Sequence, residues 1–184
     1  MTFCSTAFAV INANLKPVLV DTEYLKPTIN LNDLKKKITK RTKAIMVTAL
    51  FGHPSDMDNI IAIAKEHNLI VIEDAAQSIL ASISGDHVGS WGETACFSLH
   101  PLKTLNACGD GGVLTTNDST IYERVKILRN HGLKTRDECV DWSMNSRLDT
   151  LQAIVAKHLI KKIEGKISED KLIRYMNKGR EEVN

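Results

Sequence analysis

The stretch KAIMVTALFGHPSDMDNIIAIAKEHNLIVIED (residues 43–74) constrains the fold more than any other part of the chain. Two apolar runs, 43–50 and 69–74, flank a segment at 56–67 whose apolar residues recur at helical spacing. Unbroken apolar strands belong to a sheet covered on both faces. A strand, a helix and a strand within so few residues close as a right-handed βαβ unit with parallel strands. Ser55 and Asp58 read as a capping-box start for the helix, and Asn68 as its left-handed stop.

The flanking sequence extends this unit. STAFAVINAN (5–14) reads as a helix capped by Ser5 or Thr6 and closed by Asn14, followed by a strand at 16–21 (KPVLVD). Leu31, Leu34 and Ile38 mark another helix, capped by Asn30 or Asn32. Strands are expected at 94–99 and 111–116. The link between them carries no helix-length apolar pattern, so that pair reads as antiparallel. Helices follow at 119–131, closed by Gly132, and at 147–163, with Leu148, Leu151, Val155 and Leu159 on one stripe. The expected class is α/β: a mostly parallel sheet with helices on both faces. Residues 1–164 read as its core and 165–184 as a polar helical tail.

A formal net charge of +2 gives no argument for nucleic acid or an anionic membrane as partner. No apolar run reaches membrane-spanning length, and no basic leader precedes an apolar stretch at the N-terminus. Cys4, Cys96, Cys108 and Cys139 are scattered without a C-x-x-C pair. They read as reduced thiols of a cytoplasmic protein, and the six histidines show no metal spacing, so no metal site is expected.

Ligands of open α/β sheets gather at the carboxyl ends of parallel strands. Asp74 closes LIVIED there, with Glu73 on the opposite face and Gln77 three residues on. Ser98 and Lys103 bracket the end of the next strand. A carboxylate, an amide, a hydroxyl and an amine on one rim suit pyridoxal 5'-phosphate. Lys103 would hold it as a Schiff base, Asp74 would keep the ring nitrogen protonated, Gln77 would reach its phenolic oxygen and Ser98 its phosphate. Each residue also has a plainer reading: a solvated surface lysine, a turn-forming aspartate, a small core serine. A nucleotide-binding Rossmann domain is disfavoured, since no G-x-G-x-x-G lies between the first strand and helix.

The order of these motifs resembles the DegT/StrS family of sugar-nucleotide aminotransferases, pyridoxal phosphate enzymes of fold type I with the aspartate aminotransferase architecture. TFCSTAFAVINANLKPVLVDTE resembles the family's opening helix and strand. RTKAIMVTALFGHPSDMDNIIAIAKEHNLIVIEDAAQS resembles its cofactor-aspartate unit, and GSWGETACFSLHPLKTLNACGDGGVLTTND its lysine segment. LRNHG and NSRLDTLQA resemble the part that approaches a neighbouring subunit. The resemblance implies the same four roles for Lys103, Asp74, Gln77 and Ser98. It adds Phe3 as an aromatic stacked on the ring, otherwise a core Phe. It also adds Asn145, which would reach the cofactor phosphate of the other subunit in a homodimer. Asn145 equally suits a helix start, with Ser146 capping and Asp149 three residues later.

The implied reaction moves an amino group, usually from glutamate, to a keto group on a nucleotide-linked deoxysugar. Such aminosugars enter polysaccharide, lipopolysaccharide or natural-product biosynthesis. A branch with histidine in place of lysine performs dehydration, which Lys103 argues against. Leu99 and Leu102 depart from the aromatic and Thr common in the family. The chain is also shorter than family members: it resembles a large-domain core without the N-terminal segment and the C-terminal small domain, which should leave apolar surfaces uncovered. The rival reading is a non-catalytic or regulatory remnant of that family.

Overall fold

A computed structural model describes residues 1–163; the expected tail at 165–184 lies outside the described residues. The four-stranded sheet has the order β1-β2-β5-β6, formed by β1 (Ala44–Thr48), β2 (Ile70–Asp74), β5 (Thr94–Ser98) and β6 (Gly112–Thr115). β1, β2 and β5 are parallel, while β6 runs antiparallel to β5, as expected from a link that carries no helix-length apolar pattern. A two-stranded hairpin, β3 (Ser82–Ile83) and β4 (Asp86–His87), turns through Ser84 and Gly85, both at positive φ.

Helices lie on both faces. α2 (Leu31–Lys37) and α3 (Met57–Glu66) pack on one face, where Leu34, Met57, Ile60 and Ile63 join Ile45, Val47 and Val71 in a buried cluster. α1 (Cys4–Asn12) lies on the other side of β1, across a cavity of about 670 Å³ that Val10, Ala13, Met46 and Ile72 help to line. α5 (Thr150–Ile163) covers the end of β5 by packing Ala156, Leu159 and Ile163 around Leu99, Leu105 and Ala107. Leu148 joins that cluster, but Leu151 leaves the expected stripe and is exposed.

Several local expectations are corrected. Residues 16–21 form no strand. Asp21 N–H donates to the Asp33 carboxylate (2.7 Å) and the Leu19 carbonyl accepts from Lys37 Nζ (2.6 Å), so α2 side chains claim this backbone and β1 stays an edge strand. α1 is capped by neither Ser5 nor Thr6; Phe3 precedes it without a side-chain cap, because the Thr6 hydroxyl is used elsewhere. Asp56, rather than Ser55, caps α3 by accepting from Asn59 N–H, while Ser55 is buried. α5 starts at Thr150, so Ser146 does not cap it; Ser146 N–H donates instead to the Arg129 carbonyl (2.9 Å). Asn14 and Asn68 take the left-handed positions expected, and Asn30 caps α2.

Among the described residues, Phe8, Ile11, Leu19, Leu151 and Trp142 are exposed, Trp142 almost fully at 98%.

α4 (Ser119–Leu128) offers an acid-sensitivity test. Asp118 caps it, and the N–H groups of Ile121 and Thr120 hold its carboxyl below the usual 3.8. A depressed folded-state value means that the cap stabilises above about pH 3.8 and is lost as pH falls through the lower folded value. Urea unfolding should therefore separate wild type from Asp118→Ala at neutral pH, with the gap closing below pH ~3.8. A gap that persists unchanged in acid would contradict this.

Candidate functional site

The three parallel strands end on Thr48, Asp74 and Ser98, so their carboxyl ends form one rim. Thr48 pairs with Asp74 in register, and Asp74 with Cys96. Asp74 is half-buried, and both of its carboxylate oxygens are held. Oδ2 accepts from the Thr6 hydroxyl (2.6 Å) and Oδ1 from Ala76 N–H (3.1 Å). Neither contact is a cation, so the carboxylate keeps capacity for a protonated ring nitrogen.

Glu73 points to the opposite face, where a loop rather than a helix or solvent receives it. It is 3% exposed, and its two oxygens accept from the N–H groups of Gly89, Trp91 and Gly92 at 2.7–2.9 Å. The loop approaches so closely that a Cβ at Gly92 would lie 2.6 Å from the Val71 carbonyl oxygen. Glu73 thereby fixes the pleat of β2, and with it the direction of Asp74.

Gln77 Oε1 accepts from Phe51 N–H (2.8 Å), in a turn where Phe51 itself takes positive φ. That leaves the Gln77 amide N–H₂ as a donor for a phenolate oxygen. Ser98 Oγ accepts from His100 N–H (3.2 Å), which leaves its hydroxyl proton for an anion. Lys103 follows on a tight turn in which its N–H donates to the His100 carbonyl (2.8 Å) and His100 Nδ1 accepts from Leu102 N–H (3.2 Å). Buried Leu99 and Leu105 pin the turn on both sides. The half-buried Lys103 amine makes no hydrogen bond or ion pair among the described residues.

Phe3 is 72% exposed, next to Thr2, whose hydroxyl accepts from Thr48 (3.1 Å) at the end of β1. Asn145 is exposed and bridges Asn130; its Oδ1 accepts from Arg147 N–H (3.2 Å), and it shares no hydrogen bond with the strand-end residues. The cavity beside α1 has Thr2, Thr6 and Thr48 in its wall, but Gln77, Ser98 and Lys103 do not line it.

The chain belongs to the DegT/DnrJ/EryC1/StrS aminotransferase family, whose profile matches residues 1–178. It is 42% identical over 156 residues to UDP-N-acetyl-3-dehydro-α-D-glucosamine 3-aminotransferase of Acidithiobacillus ferrooxidans, covering 85% of this chain and 42% of that one. It is 45% identical over 154 residues to dTDP-3-amino-3,6-dideoxy-α-D-galactopyranose transaminase of Aneurinibacillus thermoaerophilus, covering 84% and 42%. Among solved structures, S. venezuelae DesV in complex with a ketimine intermediate superposes with a TM-score of 0.86 at 36% identity, over 89% of this chain and 44% of that one. The chain thus spans less than half the length of these relatives.

The sequence missed Thr2, Thr6 and Thr48, which gather around Asp74. Thr6 was legible only as a possible cap, and Thr48 only as an interior residue of the strand expected at 43–50. Cys96 was also missed. Burial of its thiol, and then the negative charge of Asp74, push it above the usual 9.0, although the residue as a whole is exposed. A raised value keeps it a thiol at neutral pH and a poor nucleophile. Its alkylation by iodoacetamide should have a pH midpoint above 9.0, falling in Asp74→Asn. An unchanged midpoint in that variant would remove Asp74 as a cause.

Proposed function

We propose that this chain carries the cofactor-binding core of a pyridoxal phosphate-dependent aminotransferase. It would move an amino group from glutamate to a keto group on a nucleotide-linked sugar. The observation that carries this reading is the Asp74 carboxylate, held by two uncharged donors at the end of β2 and left free to take one more proton-bearing group. The donor set fits the cofactor in kind. Asp74 would face the ring nitrogen, Gln77 the phenolic oxygen, Ser98 the phosphate and Phe3 the ring face, with Lys103 as the covalent tether. Asn145, exposed and remote in its bonding from that set, suits the role of reaching the phosphate in the partner subunit of a homodimer.

When bound, the cofactor supplies an electron sink for the carbon that exchanges its amino group. The chain's own residues do the rest. Asp74 keeps a proton on the ring nitrogen, which is what makes the sink deep. Lys103 Nζ, carried on its pinned turn, would take the proton from the amino-bearing carbon and give it back on the far side of the intervening nitrogen, acting as general base and then acid. Glutamate leaves as 2-oxoglutarate and the sugar carbonyl becomes an amine, so the two half-reactions balance without an outside oxidant or reductant.

The names of both relatives place the amino group at carbon 3 of the sugar, one on a UDP and the other on a dTDP carrier. A 3-keto sugar nucleotide is therefore the acceptor to try first, as a precursor of aminosugars for surface polysaccharide or lipopolysaccharide. The direct test is the first half-reaction: the chain loaded with pyridoxal phosphate and given glutamate. One equivalent of 2-oxoglutarate per bound cofactor is expected. Bound cofactor with no 2-oxoglutarate would favour the non-catalytic remnant instead.

A further inference from the structure

The hydroxyl groups around Asp74 form a chain with a single direction. Thr6 Oγ1 donates to Asp74 Oδ2 at 2.6 Å, and a hydroxyl has one proton to give. The 2.6 Å contact between Thr6 and Thr2 must then have Thr2 as donor. Thr2 has in turn spent its proton, so the 3.1 Å contact with Thr48 runs from Thr48 to Thr2. The order Thr48 to Thr2 to Thr6 to Asp74 follows from counting protons, with no freedom left in it. All four residues are half-buried, where each bond polarises the next toward the carboxylate. The chain ties the end of β1, the N-terminal segment, the first turn of α1 and the end of β2 to one atom.

We propose that Thr6 is the positioning residue of the cofactor aspartate, with Thr2 and Thr48 as the relay that orients its hydroxyl. This rests on the cofactor reading of the site. With Oδ2 fixed by Thr6 and Oδ1 by Ala76 N–H, the carboxylate plane is set before any ligand arrives. A pre-set carboxylate meets a ring nitrogen without first losing rotamer freedom. Thr6 acts through Asp74, to which its one hydroxyl proton is committed.

The test compares wild type, Thr6→Val, Thr6→Ser and Thr48→Val. In the cofactor-free chain, three-bond couplings of the Asp74 β-protons should report one rotamer in wild type and Thr6→Ser, and averaging in Thr6→Val. Absorbance titration with pyridoxal phosphate should give about tenfold weaker binding in Thr6→Val, the loss of one hydrogen bond to a charged group. Thr6→Ser should restore it, and Thr48→Val should weaken it about two- to threefold.

An averaged Asp74 in wild type, or one rotamer and unweakened binding in Thr6→Val, would overturn the assignment. If Thr6→Val does not fold, Thr6→Ser and Thr48→Val decide: a Ser variant that behaves unlike wild type, or a Thr48 variant that behaves identically, overturns it. Failure of wild type to take up cofactor would sink the cofactor reading and this role with it. Normal uptake unaffected by Thr6 would sink only this role.

Discussion

Lys103→Ala is expected to lower the release of 2-oxoglutarate from glutamate on the order of 10³-fold, while leaving the fold intact. The activity loss follows from the segment Cys96–Gly112, which contains one amine. Leu99 and Leu105 are buried to hold its turn, so no other lysine can take its place without moving the core of that cluster. The stability expectation has a separate basis. The Lys103 side chain makes no hydrogen bond or ion pair among the described residues, and such substitutions fall within about 0.5 kcal/mol. Lys103→Arg separates the chemistry from the charge: arginine keeps the cation but gives no tether or shuttling proton, so it should fail as alanine does. Activity surviving in either variant would remove Lys103 from the reaction.

Glu73→Ala is expected to destabilise the chain by about 3 kcal/mol or more. The carboxylate accepts from three backbone N–H groups, and its loss strands them beside an apolar cluster of Ala49, Ala75 and Val88. Each stranded buried donor costs roughly 1–3 kcal/mol, offset in part where water enters the gap. Against a whole-domain stability of roughly 5–15 kcal/mol, this is a large fraction. Glu73→Gln should fall between the two, because its N–H₂ sets a donor against a backbone N–H where the carboxylate set an acceptor. Urea unfolding would read the series, and a Glu73→Ala midpoint equal to wild type would contradict the buried-anchor role. Adjacent carboxylates thus divide the labour: Glu73 holds the loop and the pleat, and Asp74 faces the site.

The elements that could be read from sequence were those whose pattern reflects burial by neighbours in the same chain. β1, α3 and β2 alternate or repeat because their partners lie within residues 34–71, and the antiparallel β5–β6 pair follows from a link without a helix-length apolar pattern. Residues 16–21 failed for the complementary reason. Their apolar pattern is that of a strand, but a strand needs a paired edge, and here Asp33 and Lys37 take the backbone groups first. The hairpin β3–β4 escaped because two-residue strands carry no period, leaving only the Ser84-Gly85 turn as a signal.

At the candidate site, Asp74, Gln77, Ser98 and Lys103 were legible as candidates from their places at strand ends and from the family resemblance. The threonine chain was not, because Thr2, Thr6, Thr48 and Asp74 are separated by up to 72 residues, and no local spacing connects them. A hydroxyl placed to cap its own helix gives no sign in sequence that it serves a distant carboxylate.

The most direct measurement is borohydride reduction of the 184-residue chain saturated with pyridoxal phosphate, followed by mapping of the labelled peptide. A visible absorbance band that reduction abolishes is expected, with the label confined to the peptide that contains Lys103. A folded chain that shows no band, or a label spread over the surface lysines and unchanged in Lys103→Ala, would contradict it.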